Sequence, residues 1–413
     1  MINSLRPLTL AVSMALLATP FAAQAENVRI AFIDPLSGPF APVGQNQLKS
    51  FQMIADIANK KKWAGEHTLE VVGFDNKGSP QESLTQLKAV IDQGYRYITQ
   101  GSGSGAGLAL LDQINKHNDR NPGKEIVYLN YAAIDPDMTN SKCSFWHFRF
   151  DAHSDMKMEA LTTYMAGLKD IKKVYIIGQN YAFGQSVSKS GKAYLKRKRP
   201  DIEIVGDDLH PIGQVKDFSP YIAKIKASGA DTVITGNWGS DLALLIRAAK
   251  DADLKADFYT YYAVTTGVPT AVGAAGEGRV KIVGNWTVND GLRGRDIVDA
   301  FKLKYKDDYY TAQTHSALGM LANAMKAAKS TDPVKVAFAL EGAKFQSLNG
   351  GVMMQKVDHQ LQQSLFIATW SKKDGKSVVY DQENTGYGWK IDKKIDAYVA
   401  GQPTSCQMKR PSA

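Results

Sequence analysis

The sequence predicts an α/β protein of two similar lobes, each a mainly parallel sheet flanked by helices. Short β-rich runs alternate with stretches of helical period in a regular strand–helix beat. The beat stops and restarts near the middle of the chain, giving two series of similar length. No low-complexity linker or tandem repeat separates them. The chain must therefore cross between the lobes more than once and leave a cleft, a preferred place for a small ligand.

Residues 28–33 form the first β-rich run, and Leu48, Phe51, Ile54 and Ala58 then recur at helical spacing. Residues 69–74 are the second strand, followed by Leu84, Leu87, Val90 and Ile91 on a helix face. Residues 96–99 run as a strand into a glycine-rich loop, and Leu110, Leu111 and Ile114 mark the helix after it. Residues 126–129 close the first series. Met158, Leu161, Met165 and Leu168 start the second, with strands expected at 174–177, 202–205, 232–235 and 258–259. One helix of this series runs through Lys198, and another carries Leu242, Leu245, Ile246 and Ala249. A strand at 280–286, helices around 297–305, 318–328 and 334–340, a strand at 365–370 and a Gly- and Lys-rich tail complete the chain. These make no third domain.

The first 25 residues lie outside this pattern. Arg6 precedes an apolar run over 8–17, and Ala23-Gln24-Ala25 gives a small-x-small cleavage site. This is a secretory leader, cleaved after Ala25; the run is too short for a membrane span. The mature chain is expected to be exported into an oxidising compartment. Removing 25 of 413 residues leaves a chain too long for one ordinary core. With 44% hydrophobic and 22% charged residues it is globular. The formal charge of +9 does not mark a nucleic-acid binder, because basic and acidic residues are interspersed. The one dense basic run, 196–199, ends a helix, where it complements the dipole. The only cysteines, Cys143 and Cys406, belong to an exported chain and are expected to pair. Such a bond is worth about 5 kcal/mol at most. Two unpaired thiols are the alternative.

Gly101-Ser102-Gly103-Ser104-Gly105-Ala106-Gly107 leaves a strand and enters a helix. Glycines let backbone N–H groups approach a ligand, a helix N-terminus favours negative charge, and Ser102 and Ser104 add hydroxyl donors. A carboxylate is the natural guest. Hydrogen bonds to a charged group contribute about 1.5–3 kcal/mol each, so two or three supply much of the roughly 8 kcal/mol of micromolar binding. The loop also matches a loose dinucleotide fingerprint, but it follows the third strand and lacks the acidic partner. No cofactor is expected. Gly236-Asn237-Trp238-Gly239 reads as a loop at a strand's carboxyl end, where open α/β sheets bind ligands.

An ordered series of motifs carries a family resemblance across most of the chain: Asp34-Pro35-Leu36-Ser37-Gly38-Pro39, Gly94-Tyr95-Arg96-Tyr97-Ile98, Ala132-Ala133-Ile134-Asp135, Tyr181-Ala182-Phe183-Gly184, Asp217-Phe218-Ser219-Pro220-Tyr221-Ile222 and Arg247-Ala248-Ala249. In these the chain resembles the periplasmic branched-chain amino-acid-binding proteins of ABC importers. The resemblance implies a type I periplasmic-binding-protein fold with three hinge crossovers, near Phe150, Trp286 and Leu365. The expected lobes are 26–150 with 286–364, and 151–285 with 365–413. It also implies a monomer that hands its ligand to ABC importer permease subunits.

By the same resemblance, Ser104 and the backbone of Ala132 hold the ligand carboxylate, while Phe183 and Trp238 line the cleft, with Tyr181 beside Phe183. Ile134 stands where amino-acid binders carry a hydroxyl residue, and Tyr262 where they place a glutamate for the ligand ammonium. Val43 replaces a tyrosine of some relatives. The site as aligned is poorly built for a zwitterion, because an unpaired buried charge costs about 2–5 kcal/mol. A carboxylate without an α-ammonium fits better, such as an aromatic or branched organic acid. Asp34, Asp135 or Asp241 would restore amino-acid binding if one faced the cleft. An enzyme is disfavoured: there is no His-Glu-x-x-His, no Gly-x-Ser-x-Gly, and Ser104 has no evident base. His147 and His153 read as structural, and no metal site is expected. A ligand-binding subunit of a sensory or chemotaxis system would use the same fold.

Overall fold

Strand-forming and helix-forming runs fall into two sheets in the computed structural model, which describes residues 25–411. The expected leader lies outside the described residues except for Ala25. The first lobe begins with β1 (Asn27–Asp34), α1 (Ala41–Lys60), β2 (Thr68–Asp75), α2 (Pro80–Asp92), β3 (Tyr97–Gln100), α3 (Ser104–Arg120), β4 (Val127–Asn130) and β5 (His147–Arg149). The strands lie in the order β2-β1-β3-β4-β5 and all pair parallel. Strands β3 and β4 are buried along their whole length, as central strands covered by helices on both faces must be, and the edge strand β5 is buried because Gln360 packs against Arg149. Helix α1 buries Phe51, Ile54 and Ala58 at the expected spacing, and α2 starts at Ser79, whose side chain accepts the Glu82 N–H.

The second lobe contains α4 (Ser154–Met165), β6 (Lys173–Gln179), α5 (Ala182–Lys198), β7 (Glu203–His210), α6 (Ser219–Ala227), β8 (Thr232–Thr235), α7 (Gly239–Asp251), β9 (Asp257–Thr260), α8 (Val268–Val272) and β10 (Val280–Gly284). The chain then returns to the first lobe. There α9 (Arg295–Tyr305), α10 (Gln313–Ala328), α11 (Pro333–Leu340) and the small antiparallel sheet β11 (Lys344–Ser347), β12 (Gly350–Met354) and β13 (Leu361–Gln362) bury Phe301, Leu321, Val352 and Met354 in the first core. Finally β14 (Leu365–Lys372), β15 (Tyr387–Ile395) and α12 (Ala397–Ala400) rejoin the second lobe, whose sheet runs β15-β14-β10-β9-β8-β6-β7.

Three short connections, 150–153, 285–294 and 363–364, cross between the lobes. Side chains tie them together: the Gln363 amide donates to Phe150 O (2.9 Å) and accepts from the Asn285 amide (3.0 Å).

Two expectations change. The tail contains β15, which pairs antiparallel with β14 along that strand's whole length. Its lysines at 390, 393 and 394 are what an exposed edge strand carries, and they hide the period-2 pattern. The end of the chain does not stay on the second lobe either. Gln402 still accepts from Tyr194 of α5 (3.0 Å), but Thr404 donates to Thr139 O (2.9 Å) and Lys409 pairs with Asp119 (2.9 Å), both on the first lobe. Cys406 is disulfide-bonded to Cys143, with Cα atoms 5.6 Å apart and a sequence separation of 263.

Candidate functional site

Each sheet reverses its strand order at one point. In the first lobe this lies between β1 and β3, so the loops after Asp34 and Gln100 splay apart there. In the second it lies between β6 and β8, where the loops leading to Tyr181 and Trp238 part. Such switch points are where open α/β sheets form their crevices. The two face each other across the cleft, around a cavity lined by both lobes.

Seven of the eight predicted ligand residues line this cavity: Ser102 and Ser104 from the glycine-rich loop, Ala132, and Tyr181, Phe183, Trp238 and Tyr262 from the second lobe. Val43 also lines it. Ile134 does not. Its side chain is 1% exposed and packs into the second lobe's apolar cluster, because the turn after β4 aims it across the lobe boundary. Gln47 and Thr265 are lining residues that the sequence reading missed. Gln47 is one helical turn after Val43 on α1, which was the available signal.

The aromatic wall is built from both lobes. Trp238 caps α7 and stacks on Phe40 of the first lobe at 4.2 Å between ring centres. Its indole N–H donates to the Tyr181 hydroxyl (3.0 Å), which keeps its own proton for another acceptor. Phe183 meets Tyr181, Tyr261 and Tyr262 edge-on. The Tyr262 hydroxyl lies 3.3 Å from Ala132 O, and Thr266 bonds Tyr310 (2.9 Å), so the lobes are in contact across the cleft.

The loop is more committed than its sequence suggests. The N–H groups of Gly101 and Ser102 donate to the carboxyl of Asp34 (3.0 and 2.9 Å) and are not free for a ligand. Gly101 is required by packing, since a Cβ there would sit 2.7 Å from the Tyr131 ring. Ser102 gives its hydroxyl proton to Gln47 Oε1 (2.9 Å), and the Ala132 N–H is directed at Asn130 Oδ1 (3.2 Å). What remains is the start of α3. Gly103, at φ +98°, turns the chain, and the N–H groups of Gly103 and Ser104 have no acceptor among the described residues. Ser104 Oγ accepts from the Asp135 N–H (3.2 Å), leaving its proton to donate. This cluster of donors at a helix N-terminus suits an anion.

Asp34 is fully buried, and burial pushes its carboxyl up to about 7 against the four donors that favour its charge. The geometry agrees with a bound proton. The Tyr131 hydroxyl lies 2.6 Å from both Asp34 Oδ2 and Gln47 Oε1, yet it has one proton. A protonated Asp34 donates to Tyr131, and Tyr131 to Gln47, which satisfies every acceptor. With the Gln47 amide oxygen turned toward Tyr131, an ionised Asp34 takes the tyrosine proton and leaves two oxygens facing each other at 2.6 Å.

The end of the cavity expected to hold an ammonium is closed by Tyr262. Behind it lies a buried ion pair that the sequence reading did not find. Asp151 accepts from Lys157 (2.8 Å) and from the Tyr262 hydroxyl (3.0 Å), and the Lys157 ammonium sits 4.4 Å from the centre of the Tyr262 ring. Burial lowers the Lys157 ammonium and holds the Tyr262 phenol well above its ordinary range. None of the acids weighed as substitutes lines the cavity. Asp34 lies behind the loop, Asp135 takes the Asp137 N–H, and Asp241 takes Gln179 and Gly213. His153 caps α4 and His147 bonds Asn130, and burial pushes both well down.

A family model described as periplasmic binding protein matches residues 27–376. The Leu/Ile/Val-binding protein homolog 4 of Brucella abortus (strain 2308) is 32% identical over 411 residues, covering 96% of each chain. The leucine-, isoleucine-, valine-, threonine-, and alanine-binding protein from Brucella ovis, solved in a closed conformation, has a TM-score of 0.81 at 30% identity over 94% of this chain and all of its own. A solute-binding protein from R. palustris in complex with benzoate has a TM-score of 0.77 at 18% identity, over 92% of this chain and 99% of its own, which bears on the fold alone.

Proposed function

The chain belongs to the periplasmic binding protein family, of the branched-chain amino-acid-binding type, and on that premise we propose that it captures a small carboxylate ligand between its lobes in the periplasm and delivers it to ABC importer permease subunits. The leader, cleaved after Ala25, exports it. The moving bodies are 26–150 with 286–364, and 151–285 with 365–403, while the disulfide-bonded end of the chain rides on the first. Ser104 and the first N–H groups of α3 hold the carboxylate. Tyr181, Phe183 and Trp238 hold the body of the ligand. Tyr262 faces its far end.

The observation that carries the ligand class is the absence of any ionisable acid or base among the cavity-lining side chains other than the phenols. An α-ammonium would be left unpaired there, whereas an aromatic or branched acid meets donors at one end and rings at the other. The relatives' names support a second reading, an amino-acid ligand. Thermal shift with L-leucine, 4-methylpentanoate and benzoate separates the two. A ligand at 100 times its Kd adds about 2.7 kcal/mol of stability. Stabilisation by an acid and not by leucine is expected, and stabilisation by leucine alone refutes the ligand class. Assaying substrate-stimulated ATP hydrolysis of the cognate importer separates delivery from a sensory role.

A further inference from the structure

The group that stands behind Tyr262 is a complete ammonium-binding constellation, already filled. Asp151 is fully buried and offers its carboxylate, and the face of the Tyr262 ring offers π density. Carboxylate and aromatic face together are what a primary ammonium seeks when taken from water. The occupant is the side chain of Lys157, itself 2% exposed, from the first turn of α4. Its neighbours on that helix, Met156, Met158, Ala160 and Leu161, are all buried and apolar, so Asp151 and Tyr262 are its partners there. Tyr262 and Ala132 belong both to the ligand cavity and to a second cavity that Lys157 lines. The acid–lysine pair is thus separated from the ligand by one side chain, and Asp151 Oδ2 lies 3.0 Å beyond that side chain's hydroxyl.

We propose that Lys157 determines ligand class: its ammonium occupies the acidic site at Asp151, so an ammonium-bearing ligand finds no acid left for it. This rests on the ammonium-free reading of the ligand given above. Two consequences follow. Removing the lysine frees Asp151 and turns the site toward amino acids. Removing both charges leaves a site without an acid, which keeps its preference for ammonium-free acids.

The test compares L-leucine with 4-methylpentanoate, which differ only by the α-ammonium, on wild type, Lys157→Met and Asp151→Asn/Lys157→Met. Affinities come from isothermal titration and melting temperatures from thermal shift. Each variant is refolded without ligand, with leucine and with 4-methylpentanoate. In Lys157→Met the affinity for leucine relative to 4-methylpentanoate rises by at least about tenfold over wild type, as a newly paired buried charge should give. In the double variant the ratio returns to within about threefold of wild type. A Lys157→Met chain that folds only with leucine also supports the proposal, because the ligand ammonium then replaces the missing one. An unchanged ratio in Lys157→Met, a chain that neither ligand folds, or a gain that survives in the double variant overturns it. A wild-type protein that prefers leucine to 4-methylpentanoate defeats the ligand class itself, which is read separately on the unmutated chain.

Discussion

Asp34 makes stability fall as pH rises through neutrality. Its carboxyl is raised from 3.8 to about 7 by burial, so between those values the native protein keeps a proton that the unfolded chain has released. Where the native state binds more protons, stability drops with rising pH. A rise of about three units, at about 1.4 kcal/mol per unit, amounts to about 4 kcal/mol across the whole window. Most of the accessible part lies between about pH 5.5 and 8.5, where it comes to about 2 kcal/mol, and above the native value the loss levels off. The assay is urea unfolding of wild type and Asp34→Asn at four pH values spread evenly across that range. The amide that Asp34→Asn introduces places a donor against the Gly101 or Ser102 N–H, which costs a constant amount, so only the slope is informative. Wild-type stability minus that of the variant should fall by about 2 kcal/mol over this range and flatten at its upper end. A flat difference would show that Asp34 is ionised throughout and that the Asp34–Tyr131–Gln47 proton arrangement is wrong.

Ser104→Ala removes the hydroxyl proposed to donate to the ligand carboxylate and should raise Kd by about ten- to a hundredfold, measured by isothermal titration, with the melting temperature little changed. Trp238→Ala removes the stack on Phe40 and the bond to Tyr181, and should weaken ligand binding by at least about tenfold; Trp238→Phe should recover most of it. Cys143→Ser/Cys406→Ser opens a loop of 263 residues and should lower stability by up to about 5 kcal/mol, read by chemical denaturation. Reductant should produce the same loss in wild type and none in the variant.

The beat of strands and helices was legible because each element obeys one period. Residues 232–235 and the helix through Lys198 fall where the pattern placed them. The failures had local causes. β5 is three residues with a histidine and an arginine at its ends, buried only because Arg149 bonds Gln360 and Asp135 O within the hinge. In β15 the edge-strand lysines masked the alternation. The site divided in the same way. Tyr181, Phe183 and Trp238 were legible as cavity-lining residues because they follow strands at the switch point. Lys157 was not, since one lysine on an apolar helix has no spacing rule that ties it to an acid six residues earlier. Ile134 failed because homology assigns a position and not the direction of its side chain.

These charges also determine how an anion enters. Around the cavity, Asp151 and Lys157 cancel, and Asp34 is neutral below about pH 7 and negative above it. Its carboxyl sits behind Ser102, on the side proposed to hold the ligand carboxylate. At an effective dielectric constant of about 20, two like unit charges about 7 Å apart would repel by about 2 kcal/mol, more than one pKa unit. Binding of an anion should therefore raise the Asp34 carboxyl further and draw a proton onto it. Above about pH 7 the affinity for a carboxylate should decline with pH, by up to about tenfold per unit. Titration of the bound acid at about pH 8 in two buffers of different ionisation enthalpy reads the number of protons taken up. A value approaching one is expected in wild type and a value near zero in Asp34→Asn. Equal heats in both buffers for wild type would mean that Asp34 keeps its state when the ligand arrives, and that the loop's donors screen it from the site.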